Sequence, residues 1–280
     1  MRYTLKVTRE QHGKTVGDIL RLNGWSHRLI TSLKRTDGGI ARNGEHARTV
    51  DICAEGDEIV LTREDQTAPV PNPDLKADVL YEDGCVIVFD KPSGMPTHES
   101  MGHRGDALSN LFAARCPGLT FRSINRLDRE TCGCVAVAKD PHAVKVIAGS
   151  IKKVYRGISC GIPPEVSGRI DAPIARERES VITRCVREDG KPSVTDYTVI
   201  EQADGRALID FDLKTGRTHQ IRVHMAHIGC PLEGDSLYGS GGGALRLCCR
   251  EIRFTLPDGK STVCRSKIGL REFAHLTKQD

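Results

Sequence analysis

The sequence predicts an α+β protein in two parts, a small N-terminal unit of residues 1–65 and a larger C-terminal unit. Two turn signals, Asp83-Gly84 and Asp204-Gly205, each separate a pair of apolar runs and so predict antiparallel strand pairs. Between the two units, the prolines of Ala68 to Pro73 cannot continue a helix or a central strand. This stretch predicts an extended linker over residues 66–74.

The composition is that of an ordinary globular protein, with 38% hydrophobic and 28% charged residues. No apolar run approaches the ~20 residues of a membrane-spanning helix. The basic N-terminus precedes no apolar segment of the kind found in signal peptides, so we expect a cytoplasmic protein with its 11 cysteines reduced. Neither Cys132/Cys134 nor Cys248/Cys249 has the two-residue gap of a zinc site, so we expect buried thiols and no metal.

Positive charge is concentrated in the N-terminal unit. Residues 1–63 contain 11 lysines and arginines against 8 acidic residues, a net charge of +3, whereas the remaining residues have 30 against 29. A modest basic excess in a small unit suits an anionic partner such as RNA. The alternative is that these charges are only solvated.

The N-terminal unit is predicted to contain two short helices followed by a small sheet. The first helix, Val16 to Leu22, has an apolar face formed by Val16, Ile19 and Leu20. Gly24 can end this helix, and Ser26 can cap the next one. The inward face of the second helix is predicted to carry Leu29, Ile30 and Leu33. Its other face is basic and carries Arg28, Lys34 and Arg35.

Residues 13–62 resemble the alpha-L RNA-binding motif of the ribosomal protein S-four type. The matching segments are Ser26 to Ile30 at the start of the second helix, the turn from Ile40 to Gly44, and Gly56-Asp57 before a last strand at Glu58 to Thr62. Within the turn, Asn43-Gly44 is a hairpin signal. In that family the basic helix contacts RNA phosphates, so the resemblance implies RNA binding by Arg28, Lys34 and Arg35. A solvated helix face is the alternative.

The C-terminal unit, residues 75–280, is predicted to combine strands with three helices. The predicted helices are Ala107 to Arg115, Pro141 to about Lys153, and Thr218 to Gly229. The residues that can cap them are Asp106, Asp140 and Thr218. The predicted strands are Val79 to Tyr81, Val86 to Phe89, Val154 to Ile158, Ser193 to Gln202, Arg206 to Leu213 and, as the last one, Cys248 to Leu256.

The loop from Asn125 to Gly133 carries the most distinctive group of charges in the chain. A carboxylate, Asp128, lies between Arg126 and Arg129, and apolar strand-like runs border the loop on both sides. A carboxylate among cations on a loop between strands can be a salt-bridge partner, part of an anion site or a catalytic group. The loop alone leaves these alternatives open.

Three segments, in order, resemble the signature motifs of the RluA-type pseudouridine synthases. They are Asn125 to Gly133, Lys153-Val154-Tyr155, and Gly216 to His224, with further matches at Asp90 to Gly94 and Gly234 to Gly239. Several ordered motifs are far more specific than one short pattern. The resemblance covers nearly all of residues 75–256. It implies a pseudouridine synthase fold, a mixed and mainly antiparallel sheet with flanking helices and a catalytic cleft.

The resemblance also implies an activity, the isomerisation of uridine to pseudouridine in ribosomal or transfer RNA, with no cofactor. We expect the protein to be a monomer. Asp128 would drive cleavage of the uridine glycosidic bond, after which the freed uracil turns and rejoins the ribose through carbon 5. Tyr155 would stack on the base and help remove the carbon-5 proton, and Arg222 would pair with Asp128. The expected substrate-binding residues are Arg126, which would help expel the base from its stack, Thr131, Arg217 and His219.

The chain departs from this family at two positions of the first motif. Asn125 stands where histidine is usual, and Cys132 stands where serine is usual. Because asparagine does not titrate, we expect no proton transfer at position 125. Arg129 is expected to be dispensable to the chemistry. Two other functions stay open, a catalytically silent RNA-binding or ribosome-assembly factor and a zinc-dependent nucleic-acid enzyme.

Overall fold

The computed structural model describes residues 2–23, 25, 27–62, 69–100, 102–178 and 182–276. The chain divides into two compact units, Met1–Ala68 and Pro69–Asp280. Part of the predicted linker belongs to the second unit. There the Asn110 side chain donates a hydrogen bond to the Val70 carbonyl at 2.8 Å, and the Asn72 side chain donates one to the Gly105 carbonyl at 2.7 Å. Residues 66–68 of that linker lie outside the described residues.

The first unit is a four-stranded antiparallel sheet with two short helices. Its elements are β1 (Arg2–Lys6), a 3₁₀ turn (Arg9–Gln11), α1 (Val16–Leu22), α2 (His27–Lys34), β2 (Ile40–Arg42), β3 (Glu45–His46) and β4 (Glu58–Thr62). The strand order is β1-β4-β2-β3. Asn43 and Gly44 both take left-handed backbone conformations, as a two-residue hairpin of this kind requires. The predicted hairpin is confirmed.

Most of the predicted pattern of this unit is also confirmed. The apolar face of α1 is fully buried, and so are Ile30 and Leu33 on α2. Lys34 and Arg35 are exposed. The predicted boundaries at Gly24 and Ser26, and the side chains of Arg28 and Leu29, lie outside the described residues. The edge strand β1 is not among the predicted elements.

The second unit combines one large sheet and a separate two-stranded hairpin with several helices. Its strands are β5 (Asp78–Glu82), β6 (Val86–Lys91), β7 (Arg122–Ser123), β8 (Cys132–Ala138), β9 (Lys152–Cys160), β10 (Ser167–Asp171), β11 (Ile174–Arg176), β12 (Arg184–Val186), β13 (Val194–Ala203), β14 (Arg206–Leu213), β15 (Leu247–Thr255) and β16 (Ser261–Arg265). Its helices are α3 (Leu108–Arg115), α4 (Pro141–Ser150), α5 (Gln220–His227) and α6 (Lys267–Glu272).

The main path of this sheet is β10-β13-β14-β9-β15-β8-β6-β5, with β7 paired to β8 and β16 paired to β15. β15 and β8 run parallel, and every other neighbouring pair of its described strands runs antiparallel. β11 and β12 form a separate hairpin. The mixed, mainly antiparallel sheet with few helices confirms the predicted α+β class.

The centre of the sheet, β9-β15-β8, joins segments that are far apart in the sequence. Cys249 of β15 lies opposite Tyr155 of β9 on one side and opposite Gly133 of β8 on the other. Gly133 has a φ of +108°, and a β-carbon there would overlap the Cys249 backbone. Glycine is therefore required where the loop of Asn125 to Gly133 enters the sheet.

Two of the predicted helix caps are wrong. Asp106 bonds the His103 ring at 2.7 Å instead of capping α3, because the turn of the preceding loop brings the two side chains together. At α5, His219 occupies the capping position in a left-handed conformation, and no side-chain cap bond forms there. Thr218, one residue too early, is therefore not the cap.

The third cap is confirmed, since the Asp140 carboxylate accepts a hydrogen bond from the Ala143 amide at 3.0 Å. The helix that it begins, α4, ends at Ser150 and not at Lys153, because β9 already starts at Lys152. At the other end of the unit, β16 and α6 follow the strand that is predicted to be the last.

Eight of the 11 cysteines are buried, and all 11 are free thiols. The buried ones include both pairs considered above, Cys132/Cys134 and Cys248/Cys249, as predicted. Within the described ranges, no group of three or more His, Cys, Asp or Glu side chains could hold a metal ion. None of the described helices is both long and apolar enough to cross a membrane.

Candidate active site

A cavity of about 330 Å³ lies where the loop of Asn125 to Gly133 meets β9 and the segment that leads into α5. Its lining includes every residue that the sequence predicts for catalysis or substrate binding in the C-terminal unit, namely Asp128, Tyr155, Arg222, Arg126, Thr131, Arg217 and His219. Such a volume lies at the lower end of the range for small-molecule pockets. It suits one nucleoside and not a paired stretch of RNA.

The Asp128 carboxylate is half-buried, and it forms neither a hydrogen bond nor an ion pair with any described side chain or backbone group. The backbone carbonyl of Asp128 accepts a hydrogen bond from the Thr131 amide at 3.2 Å, which closes the loop. Ionisable groups that interact with the carboxylate at longer range are Lys91, Tyr155, His219 and Arg222. A carboxylate with cations nearby and both oxygens unbonded is available to act on a bound ligand.

The fully buried side chain of Lys91 supports the loop that carries Asp128. The ammonium donates hydrogen bonds to the carbonyls of Pro92, Met95 and Arg129 at 2.9, 2.7 and 3.1 Å. Burial lowers the pKa of Lys91 to about 8, although neighbouring acidic groups, Asp128 among them, oppose that shift. A single cation therefore ties the turn after β6 to the loop that carries Asp128.

Arg222 does not pair directly with Asp128. Its guanidinium binds Asp235 through two hydrogen bonds of 2.8 and 2.6 Å, and both side chains are almost fully buried. Burial acts to lower the pKa of Arg222, but the hydrogen bonds and the charge of Asp235 raise it, with a smaller contribution from Asp128. The predicted pair of Arg222 and Asp128 is thus corrected to a longer-range interaction, because the turn after α5 brings another carboxylate closer to the guanidinium.

Tyr155 projects from β9 and is only 7% exposed. Burial raises the pKa of its hydroxyl well above 10, and the neighbouring Cys249 and Asp128 raise it further. The hydroxyl is therefore neutral at pH 7. The ring lines the cavity, where an aromatic face can stack on a base that has left its helix.

His219 takes a left-handed conformation, with a φ of 57°, immediately before α5. Its Nδ1 is hydrogen-bonded to the Tyr238 hydroxyl at 2.7 Å, and the two rings meet edge to face. Burial lowers the pKa of His219, although the charge of Asp128 opposes the shift. The imidazole is therefore neutral at pH 7, and its orientation is fixed by both the backbone and Tyr238.

The sequence profile of the family described as RNA pseudouridylate synthase matches residues 85–227 of this chain. The chain belongs to this family. It is 35% identical over 232 residues to the uncharacterized RNA pseudouridine synthase YjbO of Bacillus subtilis (strain 168), over 77% of this chain and 80% of that protein. It is 34% identical over 229 residues to ribosomal large subunit pseudouridine synthase D of Pseudomonas aeruginosa, over 78% of this chain and 68% of that protein. The protein is thus an isomerase that acts on uridine in RNA.

Solved structures of RNA pseudouridylate synthase domains resemble this chain over about 70% of its length. The human RNA pseudouridylate synthase domain containing 1 aligns with a TM-score of 0.59 and 25% identity, over 71% of this chain and 86% of that one. The human RNA pseudouridylate synthase domain containing 4 aligns with a TM-score of 0.56 and 23% identity, over 70% and 90%. The predicted pseudouridine synthase fold is confirmed.

Asn125 and Cys132, the two positions expected to depart from the RluA-type motif, both make structural contacts. The Asn125 side chain donates a hydrogen bond to the Cys134 carbonyl at 3.0 Å and accepts one from the Ala136 amide at 2.9 Å. Both ends of the amide are thus bonded to β8. Cys132 packs on the other face of the sheet, beside Cys248, and is not part of the cavity lining. Neither departure places a titratable group in the cavity.

One polar atom of the cavity wall is buried without a partner. The Thr131 side chain is 2% exposed, and its hydroxyl has no hydrogen-bond partner in the described part of the chain. The nearby Gln220 differs, because its side-chain amide forms four hydrogen bonds to surrounding protein groups. Buried polar atoms are nearly always bonded. The Thr131 hydroxyl is therefore a buried polar group whose cost to the fold is not offset by a bond to any described residue.

Lys153 lines the cavity but is missing from the predicted site residues. It lies two positions before Tyr155 on β9, so both side chains project from the same face of the strand. The period of two along Lys153-Val154-Tyr155 is a signal that identifies it. Lys91, the last residue of β6, is also missing, although it lies within the motif match of Asp90 to Gly94, because its burial depends on the loop that folds over it.

Proposed function

We propose that this protein isomerises specific uridines in structured RNA, with Asp128 as the catalytic aspartate. The observation that carries the proposal is that the Asp128 carboxylate lines the same cavity as Tyr155 and Arg222. It forms no hydrogen bond or ion pair with the described residues. The resemblance of the surrounding motifs to those of RluA-type synthases supports the same assignment.

In this proposal the ionised Asp128 drives cleavage of the bond between uracil and ribose. The uracil turns and rejoins the ribose through carbon 5, so that no atom is lost and no cofactor is needed. The Tyr155 ring would stack on the base while it turns. Because the Tyr155 hydroxyl stays protonated at neutral pH, it would orient the base and not take up the carbon-5 proton itself; the Asp128 carboxylate, released once the bond to carbon 5 has formed, would accept that proton.

The target uridine must leave its helix to reach Asp128, because the cavity has room for one nucleoside. Extrusion costs roughly a few kcal/mol, so groups that replace the lost stacking and pairing are useful. Arg126 and Arg217 are exposed and would act on the RNA around the extruded nucleotide. Thr131 and His219 lie deeper and would contact the nucleoside itself.

Ribosomal RNA is the first candidate substrate, and transfer RNA is the second. Several relatives carry the name ribosomal large subunit pseudouridine synthase D, which favours the first. We infer a cytoplasmic protein, because relatives named for the ribosomal large subunit favour a ribosomal substrate, and the monomeric state stays a prediction from the sequence. We also infer that the first unit binds RNA through the C-terminal end of α2 and the residue after it, where Lys34 and Arg35 are exposed. The resemblance extends this role to Arg28.

The test is to incubate the purified protein with total RNA from cells that lack it and to map pseudouridine. Wild-type protein is expected to introduce pseudouridine at specific positions, and the Asp128→Asn variant is expected to introduce none. An Asp128→Asn variant with wild-type activity would refute the assigned role. A silent RNA-binding factor predicts the reverse in cells: Asp128→Asn would restore function fully, and glutamine at Arg28, Lys34 and Arg35 would not.

A further inference from the structure

Tyr238 connects the hairpin of β11 and β12 to the residues that begin α5. Its hydroxyl oxygen accepts a hydrogen bond from the Arg184 amide of β12 at 2.9 Å, and it is hydrogen-bonded to Nδ1 of His219 at 2.7 Å. The Arg222 guanidinium lies 5.3 Å from the centre of the Tyr238 ring. His219 lines the cavity, whereas Tyr238 is not part of the lining. The Tyr238 hydroxyl can therefore influence a bound ligand through His219.

The proton of the Tyr238 hydroxyl has one available acceptor. Burial raises the pKa of this hydroxyl above 10, so the phenol keeps its proton at neutral pH. A phenol has a single proton to donate, and the Arg184 amide is itself a donor that cannot receive it. Among the described residues, Nδ1 of His219 is the one other hydrogen-bond partner of the hydroxyl. The arrangement that uses every proton has the Arg184 amide donate to the Tyr238 oxygen and the Tyr238 hydroxyl donate to Nδ1.

This arrangement determines where the proton of the neutral His219 ring lies. Because Nδ1 accepts the Tyr238 proton, the ring carries its own proton on Nε2. Nε2 has no hydrogen-bond partner in the described part of the chain. Burial lowers the pKa of His219, which agrees with a neutral ring. The ring therefore has one N–H group left to donate to a ligand in the cavity.

We propose that Tyr238 is a positioning residue that donates its proton to His219 and so fixes the tautomer whose Nε2–H donates to a carbonyl oxygen of the target uracil. This inference rests on the proposed function. The hydrogen-bonding edge of uracil has a carbonyl oxygen on each side of one N–H, so a donor matches it at two positions. The other tautomer would present a bare nitrogen to those oxygens. A charged ring would instead attract the Asp128 carboxylate, whose charge already acts on His219.

The first experiment needs no substrate, because it observes the histidine ring directly. NMR of the full chain with nitrogen-15 in its histidines shows which ring nitrogen carries the proton at neutral pH, and the signals that are missing from His219→Gln identify His219. We expect a protonated Nε2 and an unprotonated Nδ1 in the wild-type protein. In Tyr238→Phe, the Nδ1 signal is expected to move towards that of an unbonded nitrogen. A proton on Nδ1 of the wild-type protein, or an unchanged Nδ1 signal in Tyr238→Phe, would overturn the inference.

The second experiment measures the maximal rate of single-turnover pseudouridine formation on an RNA that the wild-type protein modifies. Tyr238→Phe is expected to lower this rate about three- to tenfold, the equivalent of one ordinary hydrogen bond. In a His219→Gln background the same substitution is expected to have no effect, because the ring on which Tyr238 acts is missing. Equal decreases in both backgrounds would show that Tyr238 acts on the fold and not through His219, and would also overturn the inference.

The matched control for the rate measurement is Tyr81→Phe. The Tyr81 hydroxyl donates a hydrogen bond to the Asp83 carboxylate at 2.8 Å, and neither residue is part of the cavity lining. The control therefore also removes a bonded phenol hydroxyl from the second unit. It is expected to leave the rate per folded molecule unchanged. A rate as low as that of Tyr238→Phe would show that the loss is general to such substitutions and would count against the inference.

The two experiments separate failure of the inference from failure of the proposed function. If wild-type protein modifies no RNA, the proposed function fails and the donation to uracil fails with it, while the NMR signals still report on the contact between Tyr238 and His219. If wild-type protein is active but Tyr238→Phe has the wild-type rate, only the inference fails.

Discussion

Two groups of polar side chains meet in the cavity of this synthase, and they differ in how their hydrogen bonds are used. Asn125, Gln220 and Arg222, here termed the anchored residues, bond to other parts of the protein. Asp128 and Thr131, the open residues, have no side-chain partner among the described residues. Asn125 and both open residues lie in the same loop, so proximity to the cavity alone does not show which residues react.

The difference separates the requirements of folding from those of the reaction. Leaving a buried polar group without a partner costs roughly 1–3 kcal/mol, so open residues weaken the fold unless a ligand satisfies them. Anchored residues stabilise the fold and fix the positions from which the open residues act. Substitutions in the two groups should therefore have opposite signatures in stability and in turnover.

Asp128→Asn is expected to give the largest loss of activity, on the order of a thousandfold or more, because it removes the proposed catalytic carboxylate. The free energy of unfolding should change by less than about 0.5 kcal/mol, since the carboxylate bonds to no described group. Single-turnover pseudouridine formation and urea unfolding measure the two quantities. A large loss of stability would place Asp128 among the anchored residues.

Asp235→Asn is expected to give the largest loss of stability, about 3 kcal/mol, because it leaves the buried Arg222 charge without its bidentate partner. Turnover should also fall, since the released guanidinium can move to Asp128 and occupy the carboxylate. A matched control is Asp196→Asn, which breaks a similar bidentate pair with Arg169 at the exposed surface. That control should cost at most about 1 kcal/mol. Equal costs for the two variants would contradict the importance of burial.

The buried pair also predicts a pH dependence of stability. Burial acts to raise the pKa of Asp235, but the hydrogen bonds and charge of Arg222 outweigh it and lower the pKa below 3.8. A lowered folded-state pKa contributes stability above the unfolded value near 3.8, and this contribution is lost as the pH falls towards the folded value. The difference in unfolding free energy between wild type and Asp235→Asn should therefore be constant from pH 5 to 7 and shrink below about pH 4. A difference that stayed constant down to pH 3 would exclude this linkage.

Thr131→Val is expected to lower turnover by about tenfold while it leaves stability unchanged or raises it by about 1 kcal/mol. Valine keeps the shape of the side chain and removes a buried hydroxyl that has no partner, so the fold loses nothing. The reaction loses the hydrogen bond that the hydroxyl would make to the bound nucleoside. Thr131→Ser is the control, because it keeps the hydroxyl and should keep most of the turnover. A destabilised valine variant would mean that the protein itself satisfies the hydroxyl.

Local pattern is enough to predict much of this fold and most of the site. The apolar face of α1, the hairpins at Asn43-Gly44 and Asp204-Gly205, and seven of the residues that line the cavity follow from spacing and from motif resemblance. These features depend on neighbours within a few positions or on segments that recur together in a family.

The parts that the sequence does not reveal depend on distances between remote segments. Asp128 and Asp235 are both motif carboxylates, and only the folded turn after α5 shows which one the guanidinium of Arg222 reaches. The burial of Lys91 depends in the same way on the loop that folds over it. For the same reason Asn125 reads in the sequence as the loss of a histidine, whereas in the structure both ends of its side chain bond to β8.

Asn125→Ala should have the smallest effect on the reaction and a clear effect on the fold. It removes the bonds to the Cys134 carbonyl and the Ala136 amide and leaves both groups buried, which should cost about 1–3 kcal/mol of unfolding free energy. Turnover per folded molecule should fall only a fewfold, and its pH profile should keep its shape, because the asparagine does not titrate. Urea unfolding and single-turnover rates between pH 6 and 9 measure both effects. A changed pH profile would show that Asn125 belongs with the residues that react, because an anchored residue acts only by holding β8 against the loop of Asp128.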